Sequence, residues 1–274
     1  SSKHSHHRHP KPDEASAADP VGAAADLPPG YPVEWEADVV LSDGSVAHLR
    51  PITPADGELI REFHAGQSEE SIYLRFFAPL HELSDRDVHR FTVIDYDERV
   101  ALVATHLDKI IGVGRYDKLN ETTAEVAFNV SDNYQGKGIG SILLEHLALV
   151  GLDSGVTRFV AEVLPQNRRM INVFREAGYN VKHRLEDGVI SLSFDITPTA
   201  ASTAVRYARE HRSEAISVGG ILTPRSVAVV GASRREFSIG HTFLKNLVEG
   251  GFAGTVYAVN PNAKRVMGMR SYHS

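Results

Sequence analysis

The chain has 274 residues, 42% of them hydrophobic, and a formal net charge of −6 at pH 7. That length suits one full domain with additional pieces, and the negative balance argues against a nucleic-acid partner. Cysteine is absent, which excludes disulfides, thiolate zinc sites and a cysteine nucleophile and fits a cytoplasmic protein.

No run approaches the ~18 apolar residues of a membrane span, so no membrane partner is expected. The first thirty residues are rich in His, Ser, Ala, Asp and Pro without an apolar core, so no signal peptide is expected. His4, His6, His7 and His9 crowd this stretch. A metal-binding tract is one reading; a disordered leader or an expression remnant fits the composition better. Residues 1–33 are expected to form such a leader, because they have too little apolar surface to order themselves.

From Trp35 the pattern becomes regular. Val39–Leu41 and Val46–Arg50 flank Ser42-Asp43-Gly44-Ser45, a hairpin signal. Thr53-Pro54-Ala55-Asp56 starts a helix, with Thr53 as cap and Pro54 in the first turn. Leu59, Ile60 and Phe63 give that helix its buried stripe. "SEESIYLRFF" (Ser68 to Phe77) predicts a second short helix. Ser84 caps a third, with Val88, Phe91 and Val93.

"RVALVATHL", "KIIGVGRYD" and "TTAEVAFNV" then read as three strands with short turns between them. A glycine-rich turn and a helix to about Asp153 follow. "RFVAEVL" is a strand, "NRRMINVFREA" a helix ended by Gly178, and two further strands flank Asp187-Gly188. Residues 34–196 are therefore expected to form one α/β domain, a mixed sheet of six or seven strands flanked by helices. Residues 197–220 read as a linker with a modest helix. Residues 221–274 begin a new pattern of buried strand, glycine turn, helix and strand. This is one βαβ unit, an incomplete Rossmann-like segment, and the chain is expected to be a piece of a longer protein.

The glycine turn is "SDNYQGKGIGSILLEHL", Ser131 to Leu147. A strand entering glycines that open a helix is an anion cradle, since free amides and the helix dipole point at one spot. A Walker loop is excluded, because Lys137 is not followed by Ser or Thr; a dinucleotide fingerprint is excluded, because Leu143 stands where the third glycine belongs. What fits is Q-x-x-G-x-G, on Gln135, Gly138 and Gly140.

Within this element order, that loop resembles the pyrophosphate loop of the GNAT superfamily of N-acetyltransferases, and "HLRPITPADGELI" is similar to that superfamily's first strand and helix. The resemblance implies a GNAT-like sheet and acetyl-CoA as cosubstrate. Amides of Gly136, Lys137, Gly138, Ile139, Gly140 and Ser141 would then face the pyrophosphate, with Gln135 opening the loop. Phe128, Asn129 and Val130 would lie along the pantetheine arm, where their strand should splay from its neighbour. Asn167 matches the family's CoA-arm asparagine, and it also suits a plain helix cap. No metal is implied.

Glu125 sits in mid-strand, sharing a face with Ala127 and Asn129. A carboxylate at a solvated sheet edge is the plain reading. The chemical one is a general base: a lysine amine of pKa ≈ 10.4 is only about 0.4% neutral at pH 8, so its proton must be taken before it attacks a thioester. Related protein acetyltransferases have a glutamate at this position. Many also have a tyrosine seven residues after the CoA asparagine, as acid for the leaving thiolate. Phe174 stands there instead, so no general acid is assigned.

"SEESIYLRFF" resembles a segment of bacterial Pat-type protein lysine acetyltransferases. Pro224–Pro261 is similar to the start of the CoA-binding domain of NDP-forming acyl-CoA synthetases, a module that Pat-type enzymes join to the first. Gly231, Ser233 and Gly240 fit CoA contacts in a full domain and purely structural roles in this piece. The resemblance implies acetyl transfer to a lysine of a protein such as an acyl-CoA synthetase. A small-molecule amine acetyltransferase and a non-catalytic acyl-CoA sensor are the alternatives.

Overall fold

The computed structural model describes residues 27–222 and 224–273. Most of the expected leader, with His4, His6, His7 and His9, lies outside the described residues. Tyr31 donates to the carboxylate of Glu36 at 2.7 Å and packs edge-on against Tyr96.

A hairpin of β1 (Ala37–Val40) and β2 (Val46–Pro51) opens the first module. The expected helix start at Thr53 is a 3-10 turn, Pro54–Asp56, closed by a capping box between Thr53 and Asp56. Asp56 is also gripped by both terminal nitrogens of Arg50, at 2.8 and 2.6 Å. Helices α1 (Gly57–Ala65), α2 (Glu69–Phe76) and α3 (Asp85–Thr92) follow. Ser68 caps α2 and Ser84 caps α3, satisfying first-turn amides that would otherwise lack partners.

Next come β3 (Arg99–His106), β4 (Lys109–Lys118) and β5 (Thr123–Val130), then α4 (Ile139–Asp153), β6 (Arg158–Val163) and α5 (Arg168–Glu176). β7 (Lys182–Glu186) and β8 (Val189–Asp195) complete an eight-stranded sheet ordered β1-β2-β3-β4-β5-β6-β8-β7. The sheet has at least one strand more than expected, because both the β1 hairpin arm and the wholly exposed β7 join its edges. Only the β5–β6 pair is parallel; the other ladders are antiparallel.

Period-two alternation divides the central strands between two cores. Val100, Leu102 and Ala104 of β3 pack with Phe128 and with Leu143, Leu144 and Leu147 of α4. Ala101 and Val103 pack on the other face with Ile60 and Phe63 of α1. Complete burial of each such Leu or Phe stabilises the fold by roughly 1.5–3 kcal/mol. Gly112 and Gly114 let α4 sit close on β4: a Cβ at Gly112 would lie 2.6 Å from Ile139 Cγ2, and one at Gly114 3.1 Å from Leu143. The glycine turn at the head of α4 is thereby fixed against β4 and the end of β5.

The expected linker holds a longer helix than anticipated, α6 (Ala200–Leu222). The second module comprises β9 (Ser226–Val230), α7 (Ile239–Glu249) and β10 (Thr255–Val259), with β9 and β10 parallel. Beyond the expected βαβ unit the chain adds β11 (Arg265–Val266) and β12 (Met269–Tyr272); β12 runs parallel to β10, so this sheet has four strands where two were expected. The two extra strands are too short and too polar to announce themselves by periodicity.

Candidate active site

Gly138 caps α4 in the left-handed region at φ 84°, and Gly136 lies there too at φ 78°. Only glycine adopts that conformation at no steric cost. The result is a run of free donors. Among the described residues, the amides of Gly136, Lys137, Gly138, Ile139, Gly140 and Ser141 donate to no protein acceptor, and the first bond of α4 runs from Ile142 N to Gly138 O at 3.0 Å. Free amides at a helix head, with the helix dipole behind them, attract anions.

Contacts from elsewhere in the chain hold this loop. The β1–β2 turn reaches across, Ser42 N donating to Lys137 O at 3.0 Å. Lys137 pairs with Asp43 at 3.0 Å and stands 4.8 Å over the ring of Tyr134. Hydrogen bonds from Ser45, and then Lys137, pull Asp43 down to about 2. Gln135 accepts from Arg169 of α5 and donates to Asp132 at 3.1 Å. Gly140 packs against α5, where a Cβ would come within 3.3 Å of Val173. Asn167 accepts from Met170 N at 3.2 Å, so it does cap α5.

Asp132 is a residue that sequence reasoning passed over. Its carboxylate takes the Ser68 amide at 2.7 Å and the Ser71 hydroxyl at 2.5 Å, tying the start of α2 to the glycine loop. Burial would raise its pKa, but the bonds from Ser71 and Ser68 prevail and it is lowered. The available signal was an acid just ahead of the glycines; its partners stand more than sixty residues earlier.

The expected splay of β5 from β6 is present. The parallel ladder joins Thr123, Ala124 and Glu125 to Arg158, Phe159 and Val160, then stops. Beyond it β6 continues against β8 as far as Val163, while β5 continues against β4 as far as Val130. A wedge therefore opens beside Val126–Val130, leaving backbone polar groups on that side of β5 unpaired by β6. Ile139 ties the wedge to the glycine loop through its contact with Gly112, the register partner of Val130.

Phe128 points into the α4 core, 5.8 Å from the ring of Phe174. Asn129 lies on the opposite face, lining a cavity with Arg75, Arg115 and His64. Phe174 is 1% exposed and has no proton to give. Tyr179 stacks on Phe194 at 5.3 Å, and burial, with Glu145 beside it, raises its phenol.

Glu125 shares the face of Asn129 and stays accessible to solvent. Partial burial pushes its carboxyl up, Glu162 and Asp117 push it further, and Arg75 opposes them. It lies five residues before Val130, ~16 Å along an extended strand, which separates it from the anion loop by the length of the wedge. Among the described residues no group of His, Asp or Glu could hold a metal ion, and no helix is long and apolar enough to cross a membrane.

In the second module, Gly231 and Gly240 come into contact: a Cβ at Gly240 would lie 2.1 Å from Gly231 O. Ser238 caps α7, and His241 bonds to Ser233 O at 2.9 Å.

Comparison with known proteins agrees with both modules. Residues 67–179 match the model of the acetyltransferase (GNAT) family, and residues 225–274 match a CoA binding domain. The crystal structure of the GNAT domain of S. lividans PAT superposes with a TM-score of 0.58 at 50% identity, covering 60% of this chain and 99% of that one. Acetyltransferase Pat of Mycolicibacterium smegmatis is 34% identical over 164 residues, 58% of this chain and 49% of that protein, so the chain spans about half the length of this relative. An ADP-forming acetate–CoA ligase of Archaeoglobus fulgidus is 49% identical over 51 residues, 19% of this chain and 7% of the ligase. With the sheet order, the glycine loop and a half-identical GNAT domain in agreement, the chain belongs to the GNAT acetyltransferase family, joined to a CoA-binding domain of the kind found in acyl-CoA synthetases.

Proposed function

We propose that the chain transfers the acetyl group of acetyl-CoA to a lysine side chain of a protein, an acyl-CoA synthetase being the expected acceptor. The observation that carries this reading is the run of unpaired amides from Gly136 to Ser141 at the mouth of the β5–β6 wedge. The loop takes the pyrophosphate, and the wedge offers the unpaired edge of β5 to the amide-bearing pantetheine arm. Asn167 adds a polar contact to that arm while capping α5, and Phe128 backs the strand from the core.

The thioester then lies beside Glu125. Glu125 takes the proton of the acceptor ammonium, directly or through water, and the freed amine attacks the thioester carbonyl. A new C–N bond forms as the C–S bond breaks, the nitrogen sheds its second proton to water, and the CoA thiolate takes a proton from solvent. No acyl-enzyme forms. A thiol pKa of about 8.5 makes this leaving group tolerable without a protein acid, consistent with phenylalanine at 174. Acetyl transfer is supported by the relatives named Pat; the lysine acceptor rests on the resemblance of "SEESIYLRFF", which forms α2, to Pat-type protein lysine acetyltransferases.

The test is intact mass spectrometry of candidate acceptor proteins after incubation with acetyl-CoA. An added acetyl group mapped to a lysine supports the reading. Acetylation of small amines alone would replace it with a small-molecule acetyltransferase, and binding of acetyl-CoA with transfer to neither would make the chain a sensor.

A further inference from the structure

The sheet face that presents Glu125 has more arginine than acid beside it. Arg75 of α2, Arg90 of α3, Arg99 of β3 and Arg115 of β4 line one cavity of about 140 Å³ together with Asp117. Asp117 is already engaged, accepting from Arg99 Nε at 3.1 Å. Among the described residues, Arg115 donates only to the carbonyl of Phe91, at 3.3 Å, and it stacks on that residue's ring at 4.8 Å. Arg75 lies 5.0 Å over the ring of Phe76, and among the described residues no acid or carbonyl accepts a hydrogen bond from it.

Two guanidinium groups thus share a cavity without a carboxylate of their own. Desolvation lowers the pKa of both, that of Arg115 to about 9 with Arg75 adding to the effect; a guanidinium nonetheless holds its proton in proteins at neutral pH. Their nitrogens are not among the buried polar atoms lacking partners, and both residues line the cavity. Each guanidinium offers a planar fork of donors matched to a carboxylate.

The cavity adjoins the proposed base. On β4, Arg115 is the register partner of Ala127 and Asp117 that of Glu125. Positions two apart on a strand are separated by ~7 Å, the spacing of neighbouring functional groups on an extended peptide. Glu162 stands on the other side of Glu125 and raises its pKa. The face therefore presents a negative pair next to a positive one.

We propose that the arginine cavity binds a carboxylate of the acceptor, an Asp or Glu side chain close to the lysine that is acetylated. The acceptor is then recognised by two opposite charges, its ammonium against Glu125 and Glu162 and its acid against Arg75 and Arg115. This rests on the lysine-acetylation reading above and adds the acceptor's sequence preference.

The test uses two readouts on the full chain. In transfer assays with matched lysine peptides, one bearing Glu beside the lysine and one Gln, wild type should favour the Glu peptide in kcat/KM by roughly 10–100-fold, the range for hydrogen bonds to charged groups. Most of that preference should lie in KM. In Arg75→Gln the ratio should fall towards one, and Arg75→Lys, which keeps the charge without the fork, should fall between. The second readout needs no chemistry: Nα-acetyl-glutamate amide should raise the melting temperature of wild type, Nα-acetyl-glutamine amide should not, and Arg75→Gln should respond to neither.

If no peptide is acetylated but the glutamate derivative still stabilises wild type alone, the lysine reading fails and the carboxylate site stands. A Glu-to-Gln ratio near one in wild type, with no thermal shift, overturns the site. Free glutamate stabilising or reacting better than the blocked derivative overturns its assignment to a peptide.

Discussion

Arg209 of α6 clasps the carboxylate of Glu145 on α4, with the arginine side chain 17% and the glutamate 13% exposed. The helix that follows the sheet is thereby bonded to the helix that begins at the glycine loop. Removing one member of such a pair strands the other charge. For a fully buried pair that costs ~3–5 kcal/mol; the residual exposure here lowers the expectation for Arg209→Met to ~1–3 kcal/mol. Chemical denaturation measures it, and Arg209→Met with Glu145→Met should recover much of the loss. An unchanged midpoint in the single variant would show that the clasp contributes nothing.

Truncation after Ile196 probes the same helix from the other direction. Every proposed site residue precedes that point, so the shortened protein should still transfer acetyl groups while unfolding at lower denaturant concentration, having lost α6. A fragment that folds without activity would place α6 or the second module in the active unit.

His146 sits one residue along α4, its Nδ1 buried without a partner. Burial first, then Arg209 and Arg206, lower its pKa to about 4 from an ordinary 6.5. The folded protein thus resists a proton that the unfolded chain accepts. The resulting stability is fully present above pH 6.5 and is lost as pH falls from 6.5 towards 4, by roughly 2–3 kcal/mol. Denaturation at pH 7 and pH 5 should show wild type losing more than His146→Gln. Parallel losses would remove His146 as the cause.

Much of the architecture could be read locally. The Asp43-Gly44 turn, the caps at Thr53 and Ser84, and the glycine loop each depend on neighbours within a few residues. What escaped depends on distance along the chain. The clamp of Asp132 on Ser68 and Ser71 spans 64 and 61 residues, and the Arg209–Glu145 clasp spans 64. Sheet size was underestimated for another reason: both arms of each hairpin read as strands, but that the outer arms, β1 and the wholly exposed β7, pair onto the edges of one sheet is a tertiary fact that no local pattern states. The arginine cavity escaped because Arg75, Arg90, Arg99 and Arg115 come from four different elements, and each alone reads as a surface charge.

Gly138 gives a direct test of the phosphate loop. At φ 84° any L residue is strained by ~1–2 kcal/mol, and a β-branched one more so. Among the described residues and apart from its own stretch of chain, no atom lies within 4 Å of where its Cβ would be, so Gly138→Val should fold yet place a side chain over the free amides and abolish acetyl-CoA binding. Calorimetry showing wild-type affinity in a folded variant would refute the loop's role. Gly140→Val differs, since its Cβ approaches Val173 at 3.3 Å; it should disturb the α4–α5 packing and cost stability as well as affinity.

Glu125→Gln keeps the side chain's shape and removes its proton acceptor. Acetyl-CoA should bind as before while transfer slows by ~10²–10⁴, the usual range for loss of a general base. Because partial burial, Glu162 and Asp117 raise the Glu125 carboxyl, its basic form grows in at a higher pH than that of a free glutamate, and the wild-type rate should climb with it. The acceptor amine also loses its proton with rising pH, which lifts the rate of both proteins. Only the ratio of wild type to variant isolates the base. That ratio should be largest near neutrality and shrink at high pH, where the lysine arrives already neutral and has no proton to give up. If Glu125→Gln equals wild type near pH 7, the glutamate is a sheet residue only, and the proton leaves through water or through Glu162.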